Sequence, residues 1–533
     1  MESVTRRTVT PANRAMINQY LEDGERELRR YDTQIKRSEA EINRHRASIL
    51  AAEGKRERLK RSMATYRSHL APVHRLPTEI LEEIFALLCC TKKGISLDPG
   101  QRPLPAPVLL STVCGRWRED CVSSPRLWSY VSLDTWFESL DVDSVHEGRL
   151  QRMMELVMER SQSHPLHIDL NCPFDWEELQ RLSLYGVLSV ALEYLCKHSN
   201  RWAQLAIIAP DTTIIDHPIL SRIERSIPRL HTLAIDVPVE LPLDLHVFRF
   251  SPALHTLYLI LYGPFDNLSD IPWSQLRNLT LIMNEAPISI QEILSSCSNL
   301  QHLEFKTMFE MAEGDSQWHV ASPLKSLTFR PSPSANSLLS HISLPNLSSL
   351  ELTLSPLSSS RLWAEAALSG MITRSKCSIT ALSLSSVTIS DQQALFILRL
   401  IPTLKYFFVQ ERVIGEPHIL TSSFLSRLVI RNEFGTDSQS TCLVPHLTDL
   451  RIVASSKHLD AVAFSEAVVS RWIPDATVRE QIGVSSLRSV EIEFTNKSDA
   501  IPECLGALKC FSDAGLRVSF GWRSEPQPLF DIL

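Results

Sequence analysis

The residues of this chain that could carry chemistry form no catalytic or metal-binding pattern. The 17 histidines are isolated, and the 11 cysteines include no CxxC pair and no Cys/His cluster at zinc spacing. The phosphate-binding strings GxGxxG and GxxxxGK[ST] are absent, as are the hydrolase motifs HExxH and GxSxG. We therefore expect no enzyme, no cofactor and no metal site.

A second set of residues could bind rather than catalyse, provided that they lie on neighbouring strands about 4.8 Å apart. Arginine forks beside aromatic rings suit an extended acidic or phosphorylated segment. The alternative is that these arginines are simply solvated. The set is predicted as a substrate-binding patch and comprises Tyr406, Phe408, Gln410, Arg427, Arg431 and Arg451.

The strands that would position this patch are predicted by an internal repeat. The unit Leu-x-x-Leu-x-Leu, with Ile, Phe or Val allowed, starts at 230, 254, 276, 300, 324, 347, 379, 404, 425, 447 and 487. The first six starts are 24, 22, 24, 24 and 23 residues apart, within the roughly 20 to 29 residues of a leucine-rich repeat. Residues 166–170 and 202–207 are expected to add two irregular leading units. Stacked units would form a parallel sheet on the concave face of a solenoid.

Helices are expected to return the chain between strands, as in ISIQEILSSCSNL and DQQALFILRLIPTL. The Asn that closes the turn in the better-known repeat is missing after most strands, so the array is predicted to be irregular. Gaps of 32 residues before Ile379 and 40 before Leu487 indicate insertions, which we expect to emerge as loops near the binding face.

The N-terminal segment, from about Asn13 to Leu70, is predicted to be a long helix. It has no proline and is rich in Glu, Arg and Lys, with apolar residues on one seven-residue register broken only by Arg56. The companion core positions are weaker. Two interpretations stay open: a coiled coil that makes a homodimer through residues 13–70, or a solvated helix that leans on the next domain.

Two shorter helices are predicted after Pro72. In HRLPTEILEEIFALL, from His74 to Leu88, apolar residues cover more than half of a three-turn helix, a surface too wide to bury without further partners. After a Gly/Pro-rich connection, apolar residues recur at helical spacing from Leu109 to Cys121, and Ser124-Pro125 ends this second helix.

These two segments resemble the F-box. The family pattern has a Leu-Pro-x-Glu-Ile-Leu opening, then Ile-Phe, and a Val-Cys-x-x-Trp-Arg second half. Here it falls on Leu76, Pro77, Glu79, Ile80, Leu81, Ile84, Phe85, Val113, Cys114, Trp117 and Arg118. The tail Pro125, Leu127 and Trp128 is similar to that of F-box-like proteins common in mushroom-forming fungi. About eighteen residues separate the two halves, more than in the compact form of the box.

The resemblance implies that this segment docks the Skp-type adaptor of a cullin-RING ubiquitin ligase, while the repeats bind the protein substrate. The residues expected to contact the adaptor are Leu76, Pro77, Glu79, Ile80, Leu81, Ile84, Phe85, Val113 and Trp117. Two other interpretations remain: a helical cap on the array with no partner, and an interaction scaffold without ubiquitin transfer.

Charge and hydropathy narrow the classes of partner. Residues 1–70 carry sixteen Lys and Arg against ten Asp and Glu, so the net charge of −7 leaves −13 on the rest of the chain. A general nucleic-acid binder is thus not expected. Neither a signal peptide nor a run of about 18 apolar residues occurs, so no membrane contact is expected, and we predict a cytoplasmic or nuclear protein. The basic run from Lys55 to Arg61 could serve nuclear import or form the solvent-exposed face of its helix.

Taken together, the sequence predicts an α/β protein in four parts. Residues 1–71 form the long charged helix with its possible coiled coil, and residues 72–130 form the small all-helical F-box-like domain. Residues 131–165 are a linker and first return helix, and residues 166–533 form the irregular leucine-rich-repeat solenoid.

Overall fold

A computed structural model of the 533-residue chain divides into two compact units, Met1–Leu81 and Glu82–Leu533. Each unit is described by itself. The residues described are 11–90, 95–96, 105–134, 144–181, 184–223, 225–237, 244–261, 270–283, 290–307, 319–330, 333–353, 365–387, 389–411, 418–430, 442–495 and 502–523.

The first unit is built on one long helix, α1, which spans Pro11–His69 as the sequence predicts. At its end the backbone tightens, because Leu70 N–H donates to Arg67 O and Ala71 N–H donates to Ser68 O. Pro72 then opens a short 3₁₀ helix that ends at Arg75. Proline suits this position because the first turn of a helix needs no donated backbone N–H.

Fourteen further helices follow in the part of the chain that the structure describes. They are α2 Thr78–Cys89, α3 Ala106–Ser111, α4 Gly115–Ser123, α5 Ser144–Ser161, α6 Trp176–Arg181, α7 Leu184–Lys197, α8 Ile290–Ser296, α9 Pro333–His341, α10 Glu365–Ser375, α11 Asp391–Leu400, α12 Ser422–Leu428, α13 Ala461–Arg471, α14 Ala476–Ile482 and α15 Glu503–Ala507.

The strands within the described ranges are short, and α-helices lie between many of them, although from β4 to β7 the described connections contain 3₁₀ helices instead. They are β1 Ile95–Ser96, β2 Tyr130–Asp134, β3 Leu166–Asn171, β4 Trp202–Ile208, β5 Thr232–Asp236, β6 Thr256–Leu261, β7 Asn278–Met283, β8 His302–Thr307, β9 Val320–Ala321, β10 Ser326–Phe329, β11 Ile342–Ser343, β12 Ser349–Thr353, β13 Ala381–Ser385, β14 Tyr406–Gln410, β15 Asp449–Ala454, β16 Ser489–Phe494 and β17 Arg517–Trp522.

One long parallel sheet organises the second unit. Among the described residues it has fifteen strands, which follow one another in chain order from β1 to β17, while β9 and β11 pair separately. Each strand therefore lies beside its neighbour in sequence, which is the arrangement of a solenoid. The parallel sheet predicted from the repeat is confirmed.

The second apolar residue of each repeat unit that forms a strand belongs to a continuous buried row across this sheet. Leu233 pairs with Leu257, which pairs with Leu279, and the register continues unbroken through Leu303, Leu327, Leu350, Leu382, Phe407, Leu450 and Val490. All ten of these side chains are buried. Each contributes roughly 1.5 to 3 kcal/mol because a neighbouring unit covers it.

Local signals fix several of the return helices. The two predicted helices are present as α8 and α11, and α11 begins with a capping box. There Gln393 N–H donates to Ser390 Oγ, and Ser390 N–H donates to Gln393 Oε1. At the other end of the array, the indole N–H of Trp202 donates to Leu195 O and links β4 to α7.

Three predictions about this unit are wrong. The unit Leu425-Leu428-Ile430 was expected to be a strand, but Ser422–Leu428 is helix α12, with Thr421 Oγ1 accepting from Phe424 N–H at its start. The predicted second helix is two helices, because Cys114 has an extended backbone and caps α4 with its sulfur. The long gap before Leu487, expected as a loop, contains helices α13 and α14; the gap before Ile379 contains α10, and its residues 354–364 lie outside the described residues.

The segment 131–165, expected to be a linker with the first return helix, contains a strand as well. β2 pairs with β3 in register from Tyr130 to Asp134, and α5 supplies the predicted helix. The two irregular leading units are strands β3 and β4, as expected. None of the helices in the described ranges is both long and apolar enough to cross a membrane.

Candidate functional site

Helix α2 has two apolar faces, of which one is buried and the other is exposed. Leu81, Phe85 and Cys89, spaced four residues apart, are buried. Ile84 and Leu87 are 47% and 79% exposed, although both are as apolar as the buried set. Leu88 is also exposed, and Ile80 continues the exposed row by one turn toward the start of the helix. We call Ile84, Leu87 and Leu88 the exposed stripe.

The buried face of α2 is held in part by an aromatic pair. The Phe85 and Trp117 rings meet edge to face, with centroids 4.8 Å apart and an interplanar angle of 62°. Trp117 lies on α4, so this contact joins the two halves of the F-box-like pattern despite the long connection between them. Edge-to-face pairs add about 0.5 to 1.5 kcal/mol beyond the burial of their area.

Polar contacts fasten the same helix to the turn after α4. Arg126 Nη1 lies 2.6 Å from Glu83 Oε1, and Ser124 Oγ donates a hydrogen bond to the Glu82 carboxylate. That turn is itself anchored, since Leu127 and Trp128 are buried and the Trp128 indole N–H donates to Cys121 O at 2.8 Å. The side chains that follow the second half of the pattern therefore position α2.

Two more large apolar side chains are exposed in the second half of the pattern. Leu109 on α3 is 43% exposed, and Val113, in the break between α3 and α4, is 60% exposed. The break exposes Val113 because the chain leaves the helix at Thr112 and re-enters it after Cys114.

The residues predicted to contact an adaptor separate into exposed, partly exposed and buried groups. Ile80, Ile84 and Val113 are exposed apolar side chains, and Pro77 and Glu79 are exposed as well. Leu76 and Trp117 are partly exposed. For Leu81 and Phe85 the prediction of a direct contact is wrong, because both side chains are buried.

Leu87, Leu88 and Leu109 are exposed but were not included in the predicted adaptor-contact set. The signal for two of them was present, since Ile80, Ile84, Leu87 and Leu88 follow the i, i+4, i+7, i+8 spacing of one helix face. What the sequence did not reveal is which of the two apolar faces would be buried.

The predicted substrate patch is assembled only in part. Tyr406, Phe408 and Gln410 lie on β14, and Phe408 pairs in register with Arg451 on β15. The Arg451 guanidinium carbon lies 5.5 Å from the centroid of the Phe408 ring. Gln410 is already engaged, because its Nε2 donates to Ser386 Oγ at 2.8 Å.

Arg451 does not offer a free positive charge. Its Nη2 lies 2.6 Å from Glu493 Oε1, and its Nε lies 3.4 Å from Glu491 Oε2, both on β16. Burial disfavours the charged form, but the hydrogen bond to Glu493 and the charges of Glu493 and Glu491 outweigh it, so the pKa of Arg451 is raised. The three side chains together carry a net negative charge.

The other two predicted arginines do not join this face. Arg427 lies exposed on helix α12 rather than on a strand, and Arg431 lies outside the described residues. The arginine row proposed for an acidic or phosphorylated segment is therefore reduced to Arg451. A neutral or positively charged segment is the better electrostatic match for the face around Tyr406 and Phe408.

The described residues bring together no three His, Cys, Asp or Glu side chains that could hold a metal ion. Exposed side chains of the described residues form two candidate surfaces. One is the exposed stripe with its exposed apolar neighbours, and the other is the outward face of β14 to β16, which carries aromatic and charged groups.

Comparisons with known proteins assign this chain to no family. Its sequence matches no model of a known protein family and no curated protein. Among solved structures, a crystal structure of a protein from Bacteroides fragilis aligns with 73% of this chain and 86% of its own length. The sequence identity is 11% and the TM-score is 0.26, and a likeness of that size identifies neither a fold family nor a function.

Proposed function

We propose that this chain is a substrate receptor of a cullin-RING ubiquitin ligase, in which residues 72–130 act as an F-box-like segment that docks a Skp-type adaptor. The single observation that carries the proposal is the exposed stripe of α2. Ile84 and Leu87 in this stripe are exposed on a helix whose opposite face is buried.

The energetics favour a protein partner for this stripe. Covering a Leu or Ile side chain fully stabilises a complex by roughly 1.5 to 3 kcal/mol, and clustered apolar residues on a rigid helix are typical of interface hot spots. The helix is held in place by the Phe85–Trp117 contact and the Glu83–Arg126 ion pair. A partner would therefore meet a surface that is already ordered, which lowers the entropic cost of binding.

The sheet is the proposed substrate-binding part of the receptor. Its units repeat every 22 to 24 residues over the first six, with one strand per unit, which supports an irregular leucine-rich-repeat array. Parallel strands in such arrays present a row of outward side chains that an extended segment can follow. Tyr406 and Phe408 are the aromatic anchors that this face offers.

The test is co-purification of the full-length chain with a Skp-type adaptor. We expect stable binding by the parent and binding about a hundredfold weaker by the double variant Ile84→Asp, Leu87→Asp, which places two charges in the stripe. Leu81 is unsuitable for this test because it is buried and its substitution would unfold the helix.

The matched control is Val462→Asp, Val469→Asp on α13. Both valines are exposed on a helix, so this pair adds the same charge to another apolar surface and should leave adaptor binding unchanged. Failure of the parent to bind any Skp-type adaptor would overturn the proposal and favour a scaffold without ubiquitin transfer. Equal loss of binding in both double variants would show that the stripe is not the docking surface.

A further inference from the structure

Helix α1 carries an unpartnered apolar row of its own. Its 59 residues span about 88 Å at 1.5 Å per residue. The apolar side chains spaced by seven residues are exposed by between 44% and 63%. They are Leu21, Leu28, Ile35, Ile42, Ile49 and Met63.

A second row lies three residues after each member of the first. It contains Tyr31, Ala52, Leu59 and Tyr66, with Gly24, Ser38 and His45 as its small or polar members. Two rows offset by three and four residues make the seam of a coiled coil. The seam is apolar enough to associate, but its weak positions leave the choice of orientation to the charges beside it.

Those flanking charges separate along the helix. On the N-terminal side of residue 45, the charged flanking positions hold only acidic residues: Glu25, Glu27, Asp32, Glu39 and Glu41. On the C-terminal side they hold Arg46, Lys55, Lys60 and Arg67, with Glu53 as the exception. One helix is therefore acidic along half of its seam and basic along the other half.

In a parallel pair of helices, this separation of charge would mostly place like charges opposite each other. In a parallel coiled coil the flanking residue just before each first-row position meets the flanking residue five positions later in the other helix. Glu27 would then face Asp32, and Lys55 would face Lys60, so two kinds of contact repel. Only Glu41 against Arg46 would attract.

An antiparallel pair whose two-fold axis lies at the level of residue 47 makes opposite charges meet. Glu25 then lies opposite Arg67, Asp32 opposite Lys60, and Glu41 opposite Lys55, and symmetry makes each pair occur twice. The repulsive contacts are Glu39 with Glu53 and Arg46 with itself.

The same register suits the seam between the two helices. Ile35 meets Leu59, Ile42 meets Ala52 and Met63 meets Tyr31, so apolar residues face one another in these layers, while Ile49 meets His45. Arg56, the single charged residue in the first row, meets Ser38 rather than an apolar partner.

We propose that two copies of this chain associate through an antiparallel coiled coil of their α1 helices, centred on residue 47. The occupant of the apolar row is a second copy because its charge pattern is complementary to itself only when reversed. The inference is independent of the adaptor-binding proposal, since it rests on α1 alone.

Sedimentation equilibrium of the full chain tests the dimer and its orientation together. The variants are Asp32→Lys, Lys60→Glu and the two combined. In the antiparallel pair each single reversal sets two like charges together in two places, so the dissociation constant should rise on the order of tenfold. The double variant restores opposite charges and should return close to the parent.

In a parallel pair, both single variants would lower the dissociation constant instead of raising it. Lys at 32 would then face Glu27, and Glu at 60 would face Lys55, so each change should tighten the dimer. Tighter single variants, or failure of the double variant to recover, would overturn the proposed arrangement. A monomeric parent at micromolar concentration would overturn the association itself.

Matched controls come from the residues one position further along, which point away from the seam. Thr33→Lys and Arg61→Glu introduce the same residue types as the two test variants on the outer face of α1. Both should leave the dissociation constant unchanged, and circular dichroism should show the same helix content in all variants.

Discussion

The Phe85 and Trp117 rings, 32 residues apart in the sequence, meet edge to face with centroids 4.8 Å apart. The contact bridges a connection that the sequence alone made uncertain, because about eighteen residues separate the two halves of the F-box-like pattern. A long connection costs only a few tenths of a kcal/mol more than a shorter one in loop-closure entropy. The two halves can therefore pack together despite it.

Replacing Phe85 with Ala should loosen this packing selectively. Phe85 is 2% exposed, and truncating a buried Phe to Ala costs about 3 to 5 kcal/mol. The free energy of opening, measured by hydrogen exchange of the backbone amides in residues 115–128, should fall by a comparable amount. Ile84→Ala, at the neighbouring exposed position, should leave exchange there nearly unchanged, and equal acceleration in the two variants would contradict the packing described.

The cysteines should differ sharply in their reaction with iodoacetamide. Burial raises the pKa of the Cys297 thiol to about 12, and burial together with the neighbouring Cys121 and Cys90 raises that of Cys89 to about 12. Because the thiolate is the reactive form, both should resist alkylation near neutral pH in the native protein. Cys510 is exposed and should be labelled first.

Mass spectrometry of the alkylated peptides measures these rates. The control is the same reaction in denaturant, where all three cysteines should react at similar rates. If Cys297 were labelled as fast as Cys510 in the native protein, Cys297 could not be buried as described.

The parallel sheet could be predicted because its signal is periodic and local. A Leu at the second position of each unit is buried from β5 to β13, and Phe407 and Val490 replace it later without loss of register. Such positions admit any large apolar residue, so the pattern survives substitution. The prediction of a strand at Leu425 is wrong because the three-residue spacing of Leu425 and Leu428 also fits a helix, and the cap at Thr421 favours the helix.

The candidate sites were harder to predict, because burial and charge pairing are tertiary properties. The apolar pattern of α2 predicted a helix with a wide apolar surface but could not separate the buried Leu81 and Phe85 from the exposed Ile84 and Leu87. Likewise, Arg451 has the same sequence signature whether it is free or paired with Glu491 and Glu493, which follow it by about 40 residues. Only the alignment of β15 with β16 distinguishes the two cases.

Arg471 should be one of the most sensitive positions in the second unit. Its side chain is 1% exposed and donates to three backbone oxygens, those of Leu428, Leu443 and Val444. Burial lowers its pKa, and its removal would leave buried carbonyls without these donors. Arg471→Met should lower the free energy of unfolding by about 3 to 5 kcal/mol.

Denaturant unfolding of the full chain checks this value against Arg427→Met. Arg427 is exposed on α12, so its loss should cost no more than about 0.5 kcal/mol. If the two variants unfolded at the same denaturant concentration, Arg471 could not be the link that holds the end of α12 to the segment before β15.

Glu351 on β12 should make the protein less stable at neutral pH than it would be with an uncharged residue there. Burial raises the pKa of this carboxyl above its ordinary value of 4.5, and the charge of Glu304 adds to the effect against that of Lys306. Below about pH 4.5 the carboxyl is protonated in both folded and unfolded chains, so it costs nothing. As the pH rises through the folded pKa, the unfolded chain ionises more readily, and the folded state loses stability.

Glu351→Gln removes this titration while keeping an acceptor for the hydrogen bond from Ser385 Oγ. We therefore expect the variant to melt at a higher temperature than the parent near pH 7, with the difference shrinking to zero toward about pH 4. Glu480→Gln, exposed on α14, should match the parent throughout. A difference for Glu351→Gln that grew as the pH fell would mean that the folded protein stabilises the carboxylate, the reverse of the effect of burial.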